Sequence, residues 1–139
     1  MNPVVCTNMD NTGILLVGHG TRNADGTRQF FELQQHLSEL VAPAPVAAGL
    51  LEFQSPTIPE AWNQLLAKGV THVHVAPLLL FAAGHAKQDI PEILAECQSH
   101  SPKVTFDQSR PLSRHAAIIE LTMQRLDAVL SACQHTPER

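Results

Sequence analysis

Short apolar runs alternate with amphipathic stretches along the chain, and this alternation predicts four βα units. Gly13 to Val17 is an apolar run of strand length that ends in Gly18-His19-Gly20-Thr21-Arg22. Polar Asn23 to Thr27, with Gly26, reads as a flexible rim, after which Phe30, Leu33, Leu37, Leu40 and Val41 recur at helical spacing through Gln29 to Val41. Pro43 and Pro45 end that helix, and Val46 to Phe53 supplies a second strand that finishes on Glu52. Thr57 and Glu60 have capping-box spacing ahead of Ile58, Ala61, Trp62, Leu65 and Leu66, with Gly69 as the stop. Val70 to Leu80 is the most apolar strand candidate; Ala82, Ala83 and Gly84 carry the chain over its tip to His85. Asp89 and Glu92 repeat the capping-box spacing, with Pro91 early in a helix that runs to about Gln98. Lys103 to Phe106 is a weaker strand, and Ser113 opens a last helix carrying Ile118, Ile119, Leu121, Met123, Leu126, Val129 and Leu130.

Strands alternating with helices of this length define the α/β class: a three-layer open parallel sheet of about four strands with helices on both faces. The 139 residues suit one domain, expected over 13–130, with a flexible leader at 1–12 and a tail at 131–139. A charged fraction of 16% is low for a monomer kept soluble by its own charge, so one face is expected to meet a partner. The net charge of -4, with no basic cluster, argues against nucleic acid, and no apolar run reaches the ~20 residues of a membrane span. The N-terminus lacks a signal-peptide pattern, which gives a cytoplasmic expectation. Cys6, Cys97 and Cys133 are scattered and odd in number, so they read as reduced thiols. No GxGxxG follows the first strand and no GxxxxGK[ST] occurs, so neither a nicotinamide cofactor nor a nucleoside triphosphate is supported.

In an open parallel sheet, ligand chemistry gathers where strands end and neighbouring loops diverge. His19 follows the first strand, His85 the third, and Glu52 closes the second. If the first and third strands are neighbours, the two imidazoles face one crevice and suit a borderline divalent ion such as cobalt, iron, nickel or zinc. Between two glycines, His19 is free to point outward from the strand tip. The plain alternatives are a hydrogen-bonded His85 at a helix approach and a solvated Glu52. His72 and His74, two apart in a strand, share a face and can form a second metal pair, although polar residues at a strand edge or subunit seam is the simpler reading. Asp89 is explained as a helix cap and Trp62 as a core or interface anchor.

The elements GHGTR, LLEFQSPTIPEAW and APLLLFAAGHAKQDIPEIL resemble the small CbiX-type family of sirohydrochlorin chelatases, of the class II chelatase superfamily, over about Gly13 to Leu130. The resemblance implies a fold like one half of the larger chelatases, with the short form pairing into a homodimer around a tetrapyrrole cleft. It places the family's two metal-site histidines on His19 and His85 and its acidic residue on Glu52; Thr21 stands where relatives often have serine. It implies ATP-independent insertion of Co²⁺ or Fe²⁺, with Ni²⁺ also possible, into sirohydrochlorin. The ion is substrate, and no cofactor is permanently bound. Arg22, Arg28 and Lys87 are then candidates for holding the macrocycle's carboxylates, and Leu79, Phe81, Ala82 and Ala83 for its apolar wall. A noncatalytic tetrapyrrole or metal carrier would use the same cleft. A phosphohistidine enzyme would want arginine where Gly18 stands, and a scaffold domain would need none of these residues.

Overall fold

The computed structural model describes residues 10–81, 84 and 86–133. Its strands are β1 (Thr12–Gly18), β2 (Val46–Leu50), β3 (His72–Pro77) and β4 (Thr105–Gln108). Its α-helices are α1 (Ala24–Val41), α2 (Ile58–Ala67), α3 (Ala86–His100) and α4 (Ala116–Cys133), with a 3₁₀ turn at Leu112–Arg114 ahead of the last. The four strands form one parallel sheet in the order β2-β1-β3-β4, flanked by helices. The first and third strands are therefore neighbours, and the strand order reverses direction from β1, the position where open α/β sheets form a crevice.

The core lies on one face. Leu15, Val17, Ala47, Val73 and Val75 point there and meet Ile58, Ala61, Trp62 and Leu65 of α2 and Ala86, Ile90, Leu94 and Cys97 of α3. The buried positions of each helix recur at three and four residues, which is why α2 and α3 dock on this face. Trp62 is 1% exposed and packs edge-to-face on Phe106 with ring centroids 6.0 Å apart, so its anchor role falls in the core. Burial pushes the Cys97 thiol up from its ordinary value, and the charge of Glu96 adds to the effect.

On the other face α1 lies against β2, with Gln34 Nε2 donating to the Val46 carbonyl at 3.1 Å, yet none of its residues is buried. The last helix does not close this side. α4 touches the 3₁₀ turn and has no buried residue; Ile119, Leu121, Met123, Leu126, Val129 and Leu130 are all exposed. The expected helical stretch is present, and its apolar positions find no core within the described residues.

Several boundaries depart from the sequence expectation, with β3 running His72–Pro77, β4 Thr105–Gln108 and α4 starting only at Ala116; three further departures bear on the site. The expected rim at Asn23 to Thr27 is instead the start of α1, because the Asn23 side chain accepts from Gly26 N at 3.1 Å and caps the helix. β2 stops at Leu50, so Glu52 lies two residues beyond it in a bend where Phe53 takes φ 69°. α3 begins at Ala86, which puts Asp89 and Pro91 inside the helix and overturns the cap assigned to Asp89 and Glu92. By contrast the Thr57–Glu60 capping box forms in both directions: Glu60 N donates to Thr57 Oγ1 at 3.3 Å, and Thr57 N to Glu60 Oε2 at 3.0 Å. Gly69 ends that helix region at φ 83°.

Candidate functional site

At the C-terminal end of β1, main-chain contacts set the loop that carries His19. After Gly18 the chain turns through exposed His19 and then Gly20, whose φ is 96°. The loop is fastened to the segment after β2: Leu51 N donates to the Gly18 carbonyl and Glu52 N to the His19 carbonyl, each at 2.9 Å. A Cβ on Gly20 would stand 2.0 Å from the Glu52 carbonyl oxygen, so the close approach of the two loops requires glycine there. His19 and Glu52 are thus held side by side by main chain. Their side chains serve different hollows.

His19 borders a cavity of about 130 Å³ with Gly20, Thr21, Phe30, Leu50 and Leu78. Glu52 lines a groove of about 280 Å³ together with Asp89, Glu92 and Glu96 from α3. Asp89, displaced from the cap role, therefore joins Glu52 in an acidic groove. A third hollow of about 200 Å³ lies past β3 and is bordered by Pro77, Leu79, Lys87, Ile90 and Pro111.

The expected substrate-binding residues divide accordingly. Leu79 and Lys87 meet at the third hollow, and Phe81 is 66% exposed beyond it. Arg22 stacks on the Phe53 ring, its guanidinium carbon 4.7 Å from the centroid, which keeps a positive charge beside the His19 loop. Arg28 is engaged on its own helix, where it is paired with Glu32 and lies 3.9 Å from Asp25. Ala82, Ala83 and His85 lie outside the described residues.

A second polar constellation occupies the open face of the sheet. His72 and His74 alternate with core residues Val73 and Val75, so both project away from α2 and α3. The β3–β4 register sets His72 opposite Thr105 and His74 opposite Asp107. His72 Nδ1 is 2.6 Å from Thr105 Oγ1; His72 Nε2 is 3.2 Å from Asp107 Oδ2, and His74 Nδ1 is 2.6 Å from Asp107 Oδ1. Partial desolvation pushes the Asp107 carboxyl up, but the hydrogen bonds from His74 and His72 and their charges outweigh it and hold the group below its ordinary value. One ligand atom from each of His72, His74 and Asp107 lies within 4.8 Å of the others, a spacing able to hold a metal ion. The sequence drew attention to the histidine pair, whereas Asp107 and Thr105 escaped notice. Their own i, i+2 spacing in a short strand was the available signal, but only the register aligns it with the histidines.

These features define an α/β domain with an imidazole at the mouth of its strand-end crevice. A family model described as CbiX matches residues 13–129, and the chain belongs to the CbiX family. A sirohydrochlorin cobaltochelatase of Priestia megaterium is 34% identical over 114 residues, covering 81% of this chain and 37% of that protein. A sirohydrochlorin cobaltochelatase of Methanococcoides burtonii is 28% identical over 129 residues, covering 87% of this chain and 98% of the relative. The solved structure of SirB from Bacillus subtilis with Fe³⁺ superposes with a TM-score of 0.80 at 28% identity, over 91% of this chain and 48% of that one. The chain thus spans less than half of the longer relatives and nearly the whole of a short one. The family and the chelatase-like half-domain fold expected from GHGTR and the GHAKQDIPEIL element are both borne out.

Proposed function

We propose that this chain inserts a divalent metal ion, Co²⁺ or Fe²⁺, into sirohydrochlorin. The observation that carries the proposal is His19, exposed on a glycine-flanked turn at the β1–β3 crevice of a CbiX-family chain. Its relatives include proteins named for cobalt and for iron insertion. Sirohydrochlorin is a flat apolar macrocycle fringed with carboxylates. Its central nitrogens give up two protons as one M²⁺ enters, so the reaction needs an ion donor and proton acceptors and no ATP. In this scheme His19 and His85 hold the incoming ion and release it to the ring. Glu52, at the head of its acidic groove, takes up a released proton. Arg22 and Lys87 hold peripheral carboxylates, with Arg28 able to join by exchanging its helix partners. Leu79, Phe81, Ala82 and Ala83 form the apolar wall.

Anaerobic spectroscopy of the purified chain with sirohydrochlorin and each metal in turn tests this reading. Insertion is expected to run faster than in protein-free controls and to fall by about 10²-fold or more in His19→Ala and in His85→Ala, with folding intact. Full activity in both variants overturns the assignment. Binding without faster insertion makes the protein a carrier.

The chain is further proposed to act as a homodimer, two copies enclosing one tetrapyrrole cleft. The exposed apolar side of α4 supports this. Sedimentation at micromolar concentration is expected to show a dimer that Leu126→Asp, on α4, converts to monomer. A monomeric parent chain sinks the pairing.

A further inference from the structure

His72, His74 and Asp107 occupy the opposite end of the strands from His19. His74 is paired with Ile14 on β1, and His19 lies five residues further along that strand's path, a separation of ~16 Å at the usual strand rise. No ion can be shared by the two places. The cluster is also open to solvent, the three side chains being 33%, 44% and 59% exposed in the order His72, His74, Asp107, so an ion has a path in.

Two features separate this cluster from an ordinary surface pair. First, both imidazoles converge on a single carboxylate, with ring centroids only 4.7 Å apart. Two histidines and one carboxylate on one side, with the opposite side open, are the donor set of facial non-haem Fe(II) sites, and imidazole nitrogens suit several other first-row divalent ions. Second, the Nδ1 of His72 is held by a hydroxyl. Thr105 Oγ1 can donate to that nitrogen, which leaves the proton on Nε2 to bond Asp107. It can equally accept from it, which moves the proton to Nδ1 and frees the Nε2 lone pair. Histidine ligands in metal sites are fixed by such a partner on the second ring nitrogen.

We infer that His72, His74 and Asp107 form a second divalent transition-metal site, bridging β3 and β4, with Thr105 as the residue that sets the ligand tautomer of His72. On binding, the ion gives up waters for His72 Nε2, a ring nitrogen of His74 and an Asp107 oxygen. The protons that faced Asp107 move to the opposite ring nitrogens, toward Thr105 and toward solvent. Any proton an imidazole carries beyond its neutral form passes to water as the ion binds, and no electron is transferred. Two ligands come from β3 and one from the short edge strand β4, so the ion ties that edge to the sheet.

The test titrates Co²⁺ alone into the full chain carrying His19→Ala, following the visible ligand-field band. One equivalent is expected to bind. Adding Asp107→Asn or His74→Ala is expected to weaken binding by more than tenfold and abolish the band. Thr105→Val, which keeps all three ligands, is expected to weaken it about 10- to 100-fold. Far-ultraviolet dichroism of the metal-free variants checks that each is folded. Absence of Co²⁺ binding in His19→Ala, or binding there that all three added substitutions leave unchanged, overturns the site.

Discussion

Gly20→Ala is expected to cost about 3 kcal/mol or more of stability and to abolish the proposed metal insertion, although the substitution adds one methyl group. Two effects combine. The residue sits at φ 96°, where a side chain costs roughly 1–2 kcal/mol. Its Cβ would also stand 2.0 Å from the Glu52 carbonyl oxygen, so the two loops must separate. Separation breaks the bond from Glu52 N to the His19 carbonyl, and His19 moves with it. Gly69→Ala is the control: its φ is 83°, but among the described residues nothing lies within 4 Å of an added Cβ. That variant is expected to lose only the backbone contribution of roughly 1–2 kcal/mol and to keep full activity. Urea denaturation with parallel insertion assays measures both. Equal losses of stability in the two variants would show that contact with Glu52 contributes nothing.

Trp62→Ala is expected to destabilise the chain by about 3–5 kcal/mol, enough to leave much of it unfolded at physiological temperature. Trp62 is 1% exposed and joins α2 to β4 through Phe106, so truncation opens a cavity and loosens the edge strand together. Trp62→Phe should be far milder. The indole Nε1 is buried with no hydrogen-bond partner among the described residues, and removing that unsatisfied donor offsets part of the lost packing. Denaturant midpoints for the two variants decide the matter; a similar loss in both would mean that the indole nitrogen is satisfied in solution.

What could be read from the sequence was whatever is local. The apolar run at Gly13 to Val17 became a strand, the run expected over Val46 to Phe53 did so as far as Leu50, and the Thr57–Glu60 box formed as its spacing required. His19 was placed at a strand tip by its position after the first apolar run, whereas the adjacency of β1 and β3 that makes this tip a crevice came only from the strand order. The misreadings have physical causes. Asp89 and Glu92 carry cap spacing, but Ala86 and Ile90 belong to the apolar face that docks on the sheet, and burying both extends the helix back past the would-be cap. Asn23 looked like loop because a capping residue and a flexible one are chemically alike until the following amides are placed. Asp107 was invisible as a partner of His74 because 33 residues separate them and only strand register unites them. The separate hollows beneath His19 and Glu52 were equally hidden: a spacing argument brings backbones together and does not aim side chains.

α4 bears on more than assembly. Most of a helix's stability in a protein comes from packing its apolar face, and this 18-residue helix leaves its apolar residues outside its own core. In the proposed pair, each copy's last helix is therefore completed by its neighbour, and every tenfold change in chain concentration alters the free energy of that completion by ~1.4 kcal/mol. Abundance then becomes a structural variable: scarcity would remove finished molecules faster than it removes chains, giving the activity a threshold instead of a proportional response to expression.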